Sequence, residues 1–155
     1  MNSNIVLARI DDRLIHGQVM TAWIHELNIG EILIIDDATF KNSFLTSVMK
    51  SAIPSNIKLS IYDMKGGIEY IKETQRNLIL LVKTPDIILE LIKNGIVINK
   101  LNVGGMGSKP GRTKLYRNIS ATEEEVHILR EIQGKGTDVF IQVVPSDKKV
   151  MLEEV

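Results

Sequence analysis

Leu78 to Val82 are five consecutive aliphatic residues, and Glu31 to Ile35 repeat the pattern after a single acid. A run without polar alternation marks a strand buried on both faces, as in a parallel sheet covered by helices. Ile5 to Ala8 and Val139 to Val144 have the same character, and Lys58 to Tyr62 and Val97 to Val103 read as further strands. A short strand is expected at Thr113 to Tyr116. Between these runs the apolar residues recur at helical spacing: Val19, Ala22, Trp23 and Leu27; then Phe40, Phe44, Val48 and Ala52, with Leu45 and Met49 placed on the same face. Asp63 caps a short helix carrying Ile68 and Ile71, weakened by Gly66-Gly67. Thr84-Pro85-Asp86 opens a helix built on Ile87, Ile88, Leu91 and Ile92, and Asn94-Gly95 closes it. Ser120 with Glu123, or Thr122 with Glu125, forms a capping box for a helix running to Gly134. The tail residues Val150 and Leu152 suit either an edge strand or docking on a neighbouring subunit. The expected fold is three-layer α/β/α, with a mostly parallel central sheet, right-handed crossovers and helices on both faces. Residues 1–155 are expected to form one domain.

Composition narrows the function. Lysine plus arginine and aspartate plus glutamate number 19 each, so net charge offers nothing to draw in nucleic acid or an anionic membrane. Cysteine is absent, which removes disulfides, thiol nucleophiles and cysteine metal sites. Asp11, Asp12 and Arg13 interrupt residues 1–20, so no signal peptide is expected, and no window approaches a membrane span. The expectation is a cytoplasmic protein.

In open α/β sheets ligands bind beyond the carboxyl ends of the strands. The candidates there are Arg9 to His16, Asp36-Asp37, Asp63, Lys83-Thr84, Gly104 to Gly107 and Pro145-Ser146. His16 follows a charged loop and immediately precedes a helix, where unsatisfied N–H groups and the positive end of the dipole favour anions. A neutral imidazole offers a nitrogen lone pair at pH 7, which suits nucleophilic attack on phosphorus. Arg13 lies three residues back, and a guanidinium about 4 Å from a phosphate oxygen contributes about 4 kcal/mol at an effective dielectric near 20. The other reading of His16 is a helix cap or a satisfied surface residue. Asp11 and Asp12 either orient Arg13 or the imidazole, or cap a turn. A third reading converges Asp11, Asp12, Asp36 and Asp63 on Mg²⁺, although no spacing demands it. Gly104-Gly105 would let backbone approach a ligand, but the glycine spacing is not a dinucleotide fingerprint and no Walker A sequence is present. Gly111 to Lys114 reads as a solvated basic turn or a guide for a partner. His25 and His127 read as structural or surface residues, and Trp23 as core.

Ala8-Arg9-Ile10-Asp11-Asp12-Arg13-Leu14-Ile15-His16-Gly17-Gln18-Val19 resembles the signature of the IIB components of the mannose/fructose/sorbose family of bacterial sugar phosphotransferase systems. Leu101 to Met106 with Gly111 to Lys114, and Ile141 to Pro145, resemble that family's later blocks. The resemblance implies an α/β/α fold and a phosphohistidine at His16, formed on Nδ1. The phosphoryl group would come from phosphorylated IIA and pass to a sugar held by the membrane components IIC and IID. Arg13 would pair with the bound phosphoryl. Neither nucleotide nor metal nor other cofactor is implied, and the protein would lie at the inner face of the membrane through IIC and IID. The chief rival is a receiver-like signalling domain phosphorylated on Asp63, with Asp11-Asp12 and Thr84 as its other acidic and hydroxyl groups. That rival needs a lysine directly after the fifth strand, where this chain has Gly104-Gly105-Met106. A protein-binding module with an inert His16 is a third reading.

Overall fold

The computed structural model describes residues 4–155, so the part of the signal-peptide reading that falls on residues 1–3 lies outside the described residues. Seven strands form one sheet in the order β3-β2-β4-β1-β5-β8-β9. They are β1 (Ile5–Asp11), β2 (Glu31–Ile35), β3 (Lys58–Tyr62), β4 (Leu78–Val82), β5 (Lys100–Gly105), β8 (Asp138–Ile141) and β9 (Val150–Met151). Every neighbouring pair is parallel except β8 and β9. The continuously apolar runs occupy the centre: β2 and β4 are buried at every residue. Two helices, α1 (Gly17–Leu27) and α3 (Ser43–Ser51), pack on one face through Met20, Trp23, Ile24 and Met49. On the other face, α4 (Met64–Glu73), α5 (Pro85–Lys93) and α6 (Glu123–Gly134) contribute Ile68, Ile88, Leu91, Leu129 and Ile132. The fold is therefore the expected mostly parallel α/β architecture, and the tail forms the antiparallel edge strand β9.

Several boundaries move, with consequences for the site. The first strand does not end at Ala8 but continues through Arg9, Ile10 and Asp11, all fully buried. Residues 7, 9 and 11 share one face of a strand by its period of two, so two charged side chains enter the core layer. Val97 is exposed and precedes β5, and β8 ends at Ile141 rather than Val144.

The helix expected over Phe40 to Ala52 is broken in two. Asp36 accepts hydrogen bonds from the Thr39 amide and hydroxyl and caps α2 (Asp37–Phe40). Asn42 then caps α3 by accepting from the Leu45 amide at 3.0 Å. The restart fixes the helix's rotation: Met49 is buried and Leu45 packs beside it, whereas Phe40, Phe44 and Val48 face solvent. Two apolar rows one residue apart compete for the sheet, and the Leu45–Met49 row prevails. Met49→Ala should therefore cost about 2–3 kcal/mol of unfolding free energy. Phe44→Ser should change it by less than about 0.5 kcal/mol in the same urea titration.

All the parallel strands end at one edge of the sheet. The segment 12–16 after β1 meets there the loop after β5, which carries the antiparallel hairpin of β6 (Thr113–Tyr116) and β7 (Ile119–Ala121).

Candidate functional site

Asp11, the last residue of β1, is fully buried, and both of its oxygens are fully used. Oδ1 accepts from the Arg13 amide at 3.0 Å and from Arg13 Nε at 3.2 Å. Oδ2 accepts from Arg9 Nη2 at 3.0 Å, contacts His16 Nε2 at 2.7 Å, and lies 3.4 Å from Arg13 Nη2. Burial pushes the Asp11 carboxyl up, but its bonds to His16 and Arg13 and the charge of Arg9 prevail and hold it below its ordinary value. It is thus an ionised, acceptor-only group at neutral pH. His16 must then donate from Nε2, which leaves the lone pair on Nδ1. Among the described residues Nδ1 takes part in no hydrogen bond, and the side chain keeps 24% of its surface exposed.

The local chain serves this arrangement. His16 occupies the N-cap position of α1 in extended conformation, but its side chain does not cap the helix. The cap reading therefore fails, and the imidazole is turned toward Asp11 instead. Leu14, between Arg13 and His16, sits at φ 57°, a left-handed conformation rare outside glycine, and is completely buried. Its amide donates to the Asp11 carbonyl at 3.0 Å. Burying one leucine in a strained turn pins the loop while Arg13 and His16 remain accessible on either side.

Arg9 is the second buried charge. Its Nη1 donates to Asn102 Oδ1 at 2.6 Å and to the Val143 carbonyl at 2.9 Å, and its guanidinium lies 5.8 Å from the Trp23 ring centroid. Trp23 Nε1 donates to the same Val143 carbonyl. Trp23 is therefore core, as expected, and also one wall of the Arg9 slot. The glycine pair after β5 supplies the space. A Cβ on Gly104 would lie 2.0 Å from Arg9 Cζ, and one on Gly105 would lie 2.5 Å from Asp11 Oδ1. The close approach expected at these glycines is thus made to the protein's own Arg9 and Asp11.

A second ion network fixes the rim. Arg112, nearly buried, donates from Nη1 to Asp12 Oδ2 and to the Gly107 carbonyl, each at 2.9 Å. Its Nε and Nη2 grip Glu125 at 2.9 and 2.8 Å. Glu125 closes a capping box with Thr122 at the start of α6, so the second of the two expected boxes forms. The Glu125 and Asp12 partners raise the Arg112 pKa, while Arg112 and the Thr122 amide outweigh burial and lower that of Glu125. Arg112 is therefore no solvated turn residue; it ties the loop after β5 to the loop after β1. Between those loops lies a cleft of about 340 Å³, bordered by Asp12, Arg13, the Gly104–Gly107 backbone, Asn118 and Val143.

Asp11, Arg13 and His16 are thus brought together, and Asp12 stands beside them on Arg112. Asp36 and Asp63 are not. Asp36 caps α2 and pairs with Lys83 at 3.4 Å; Asp63 caps α4 through the Gly66 amide at 2.9 Å. Among the described residues no three His, Cys, Asp or Glu side chains converge as metal ligands. β3, which leads to Asp63, is an edge strand separated from β1 by β2 and β4. In receiver domains the corresponding strand adjoins the first, so the Asp63 reading lacks its geometry. His25 and His127 are exposed on α1 and α6. Arg9 lies in the candidate stretch Arg9 to His16 and Arg112 in the Gly111 to Lys114 turn, but the sequence assigns a buried ion-pair role to neither, nor any site role to Asn102; for Arg9 the signal was its period-two relation to Leu7 and Asp11.

Two substitutions test this construction. Gly104→Ala should destabilise the protein by about 3 kcal/mol through overpacking against Arg9. Asp11→Asn should cost about 3 kcal/mol at pH 7, because Arg9 loses its counter-charge while buried. The Asp11 carboxylate, with its lowered folded-state pKa, contributes fully above the unfolded value near 4, and that contribution disappears as pH falls through the folded value. The gap between Asp11→Asn and the parent in urea titrations should therefore narrow as pH drops below about 4.

Comparison with known proteins bears out the family resemblance. Residues 5–155 match the model of the PTS system sorbose subfamily IIB component family. The sorbose-specific EIIB component of Lacticaseibacillus casei is 35% identical over 146 residues, 92% of this chain and 89% of that protein. The mannose-specific EIIAB component of Escherichia coli K12 is 28% identical over 151 residues, covering 96% of this chain and 47% of that protein. The crystal structure of the IIBSor domain of the sorbose permease from Klebsiella pneumoniae superposes with a TM-score of 0.91 at 31% identity, covering 97% of this chain and 94% of that one. The chain belongs to the sorbose-subfamily IIB components of the bacterial sugar phosphotransferase system.

Proposed function

We propose that the protein, acting as a single IIB domain, carries a phosphoryl group on His16 Nδ1, receiving it from phosphorylated IIA and passing it to a sugar at the membrane components IIC and IID. In reaction terms it is a protein-Nπ-phosphohistidine–sugar phosphotransferase. The observation that carries this reading is the 2.7 Å contact between His16 Nε2 and buried Asp11 Oδ2, which leaves Nδ1 as the nucleophilic nitrogen.

In the first transfer the Nδ1 lone pair attacks phosphorus while the donor's N–P bond breaks, its electron pair returning to the donor imidazole. The His16 ring then gains positive charge, and its Nε2–H faces a carboxylate that is already ionised and desolvated, as in other carboxylate–imidazole pairs. In the second transfer a sugar hydroxyl oxygen attacks phosphorus, the N–P bond breaks, the pair returns to Nδ1, and the hydroxyl proton passes to solvent. Phosphoryl transfer depends chiefly on positioning and charge neutralisation. Arg13 supplies these: Nε and Nη2 rest on Asp11, while Nη1 has no hydrogen bond among the described residues and is available to a phosphoryl oxygen. Arg9 adds a fixed positive charge behind Asp11, leaving the cluster of Arg9, Asp11 and Arg13 with one net positive charge. Cofactors have no part in this chemistry.

The Escherichia coli relative, an EIIAB component by name, joins A and B components in one chain, which supports IIA as the donor. No helix among the described residues is long and apolar enough to cross a membrane. We place the protein in the cytoplasm, at the membrane's inner face only through IIC and IID.

Incubation with phosphoenolpyruvate, the general phosphotransferase proteins and IIA should add one phosphoryl group, labile in acid and stable in base. His16→Ala should remain folded and take up none; full labelling of that variant would refute the assignment. Arg13→Ala should slow transfer by about 100- to 1,000-fold, the range expected for losing one donor to the developing charge.

A further inference from the structure

Lys83 follows β4 at the functional edge, and neither step of the proposed transfer uses it. Register fixes where it stands. Across β1 and β4, Arg9 is level with Leu81 and Ile10 with Val82, which places Lys83 level with Asp11. Across β2 and β4, Ile34 is level with Leu81, which places Lys83 level with Asp36 as well. Alternation gives the face. Leu81 packs with α1 and α3, Val82 packs on the opposite side, and residue 83 returns to the face of Leu81, Arg9 and Asp11. The helix that His16 precedes, α1, covers that same face. One lysine thus stands between two acids in the row Asp36, Lys83, Asp11, with neighbouring Cα atoms about 5 Å apart.

Its partner holds it loosely. Lys83 Nζ lies 3.4 Å from Asp36 Oδ2, makes no hydrogen bond among the described residues, and belongs to a side chain 39% exposed. Asp36 does not depend on it, because the same oxygen accepts from the Thr39 amide at 3.0 Å and from the Thr39 hydroxyl at 2.6 Å. The ammonium can therefore leave Asp36 without orphaning a polar group, and a pair this exposed holds it weakly. Asp11 offers no alternative, since Arg9, Arg13 and His16 already occupy both of its oxygens. A phosphoryl group on His16 changes the balance. It carries about two negative charges, whereas Arg9, Asp11 and Arg13 together supply one positive charge. Both guanidiniums lean toward β5, Arg9 over Gly104 and Arg13 along the cleft beside Gly105 and Gly107. On the β4 side of Asp11 the cation is Lys83, whose four-carbon stem is longer than one strand spacing.

We propose that Lys83 is a further catalytic residue, which releases Asp36 and pairs with the phosphoryl group on His16 Nδ1 from the side opposite Arg13. The inference rests on His16 being the carrier, as proposed above. No covalent bond forms or breaks at Lys83; its ammonium stays protonated and exchanges one anion for another. Asp36 keeps that ammonium close while His16 is unmodified. With the phosphoryl group in place, the second cation completes its neutralisation and fixes phosphorus between two charges for in-line attack.

The test is ³¹P NMR of the protein labelled through phosphoenolpyruvate, the general phosphotransferase proteins and IIA, with Lys83→Gln, Lys83→Arg and Asp36→Asn beside the parent. A lost cation disfavours the dianion, so the phosphoryl titration midpoint should rise by about half a pH unit or more in Lys83→Gln. Lys83→Arg should stay near the parent. Asp36→Asn, which keeps a capping oxygen, frees the lysine and should lower the midpoint in the parent but not in the Lys83→Gln background. The kcat for transfer from phospho-IIA should fall about fivefold or more in Lys83→Gln, with KM for phospho-IIA within about twofold. An unchanged midpoint and kcat in Lys83→Gln overturn the inference and leave the phosphohistidine standing. So does an Asp36→Asn effect of equal size in both backgrounds, which marks a field acting at a distance. So does a lowered urea midpoint as the sole effect of Lys83→Gln, which makes Lys83 a partner of Asp36 alone. A phosphohistidine signal that persists in His16→Ala overturns the carrier reading, and this inference with it.

Discussion

One buried carboxylate organises the functional edge of this protein. Asp11 meets Arg9 from within the core, Arg13 from the loop and His16 from the start of α1. A carboxylate removed from water is costly unless it is paired and hydrogen-bonded, and here three partners meet that need. The satisfaction is mutual. Arg9, equally buried, is neutralised by the same group, and the imidazole is held in one tautomer by it. The rest of the edge accommodates this cluster: Gly104 and Gly105 surrender their side-chain space, Leu14 accepts a left-handed turn, and Trp23 lines the Arg9 slot.

The division of labour between the two ion networks follows from burial. The Arg9–Asp11–His16 set, at the proposed phosphoryl site, sets charge and tautomer. The Asp12–Arg112–Glu125 set fixes the walls of the cleft by tying loop to loop and both to the capping box of α6. Both depend on loops that follow parallel strands, so the sheet's uniform direction is what lets residues 11, 16, 105 and 112 gather at one edge. Among the described residues the one antiparallel strand in the main sheet, β9, pairs beyond β8 and leaves that edge open.

The architecture was legible in the sequence because doubly covered strands have no polar alternation, and β2 and β4 fall where their aliphatic runs stand. Asp11, Arg13 and His16 were legible because they lie within six residues of one another, at a strand-to-helix junction. What was not legible depends on distant pairing. Arg9 is a core residue because β1 continues through it and because its register partner on β5 is Asn102. Arg112 reaches Asp12 across 100 residues through a loop whose path no local pattern encodes. The α2–α3 break was hidden for a different reason: the Phe40–Phe44–Val48 row satisfies helical spacing as well as the Leu45–Met49 row, and only the two caps decide which is buried.

The most direct measurement concerns the two nitrogens of one ring. In a protein labelled with ¹⁵N-histidine, long-range ¹H–¹⁵N correlation of His16 should show the proton on Nε2 before phosphorylation. After phosphorylation it should show a phosphorus-coupled Nδ1, with Nε2 still protonated. A proton on Nδ1 in the unmodified protein, or phosphorus coupled to Nε2, would contradict the role assigned to Asp11 and with it the account of this site.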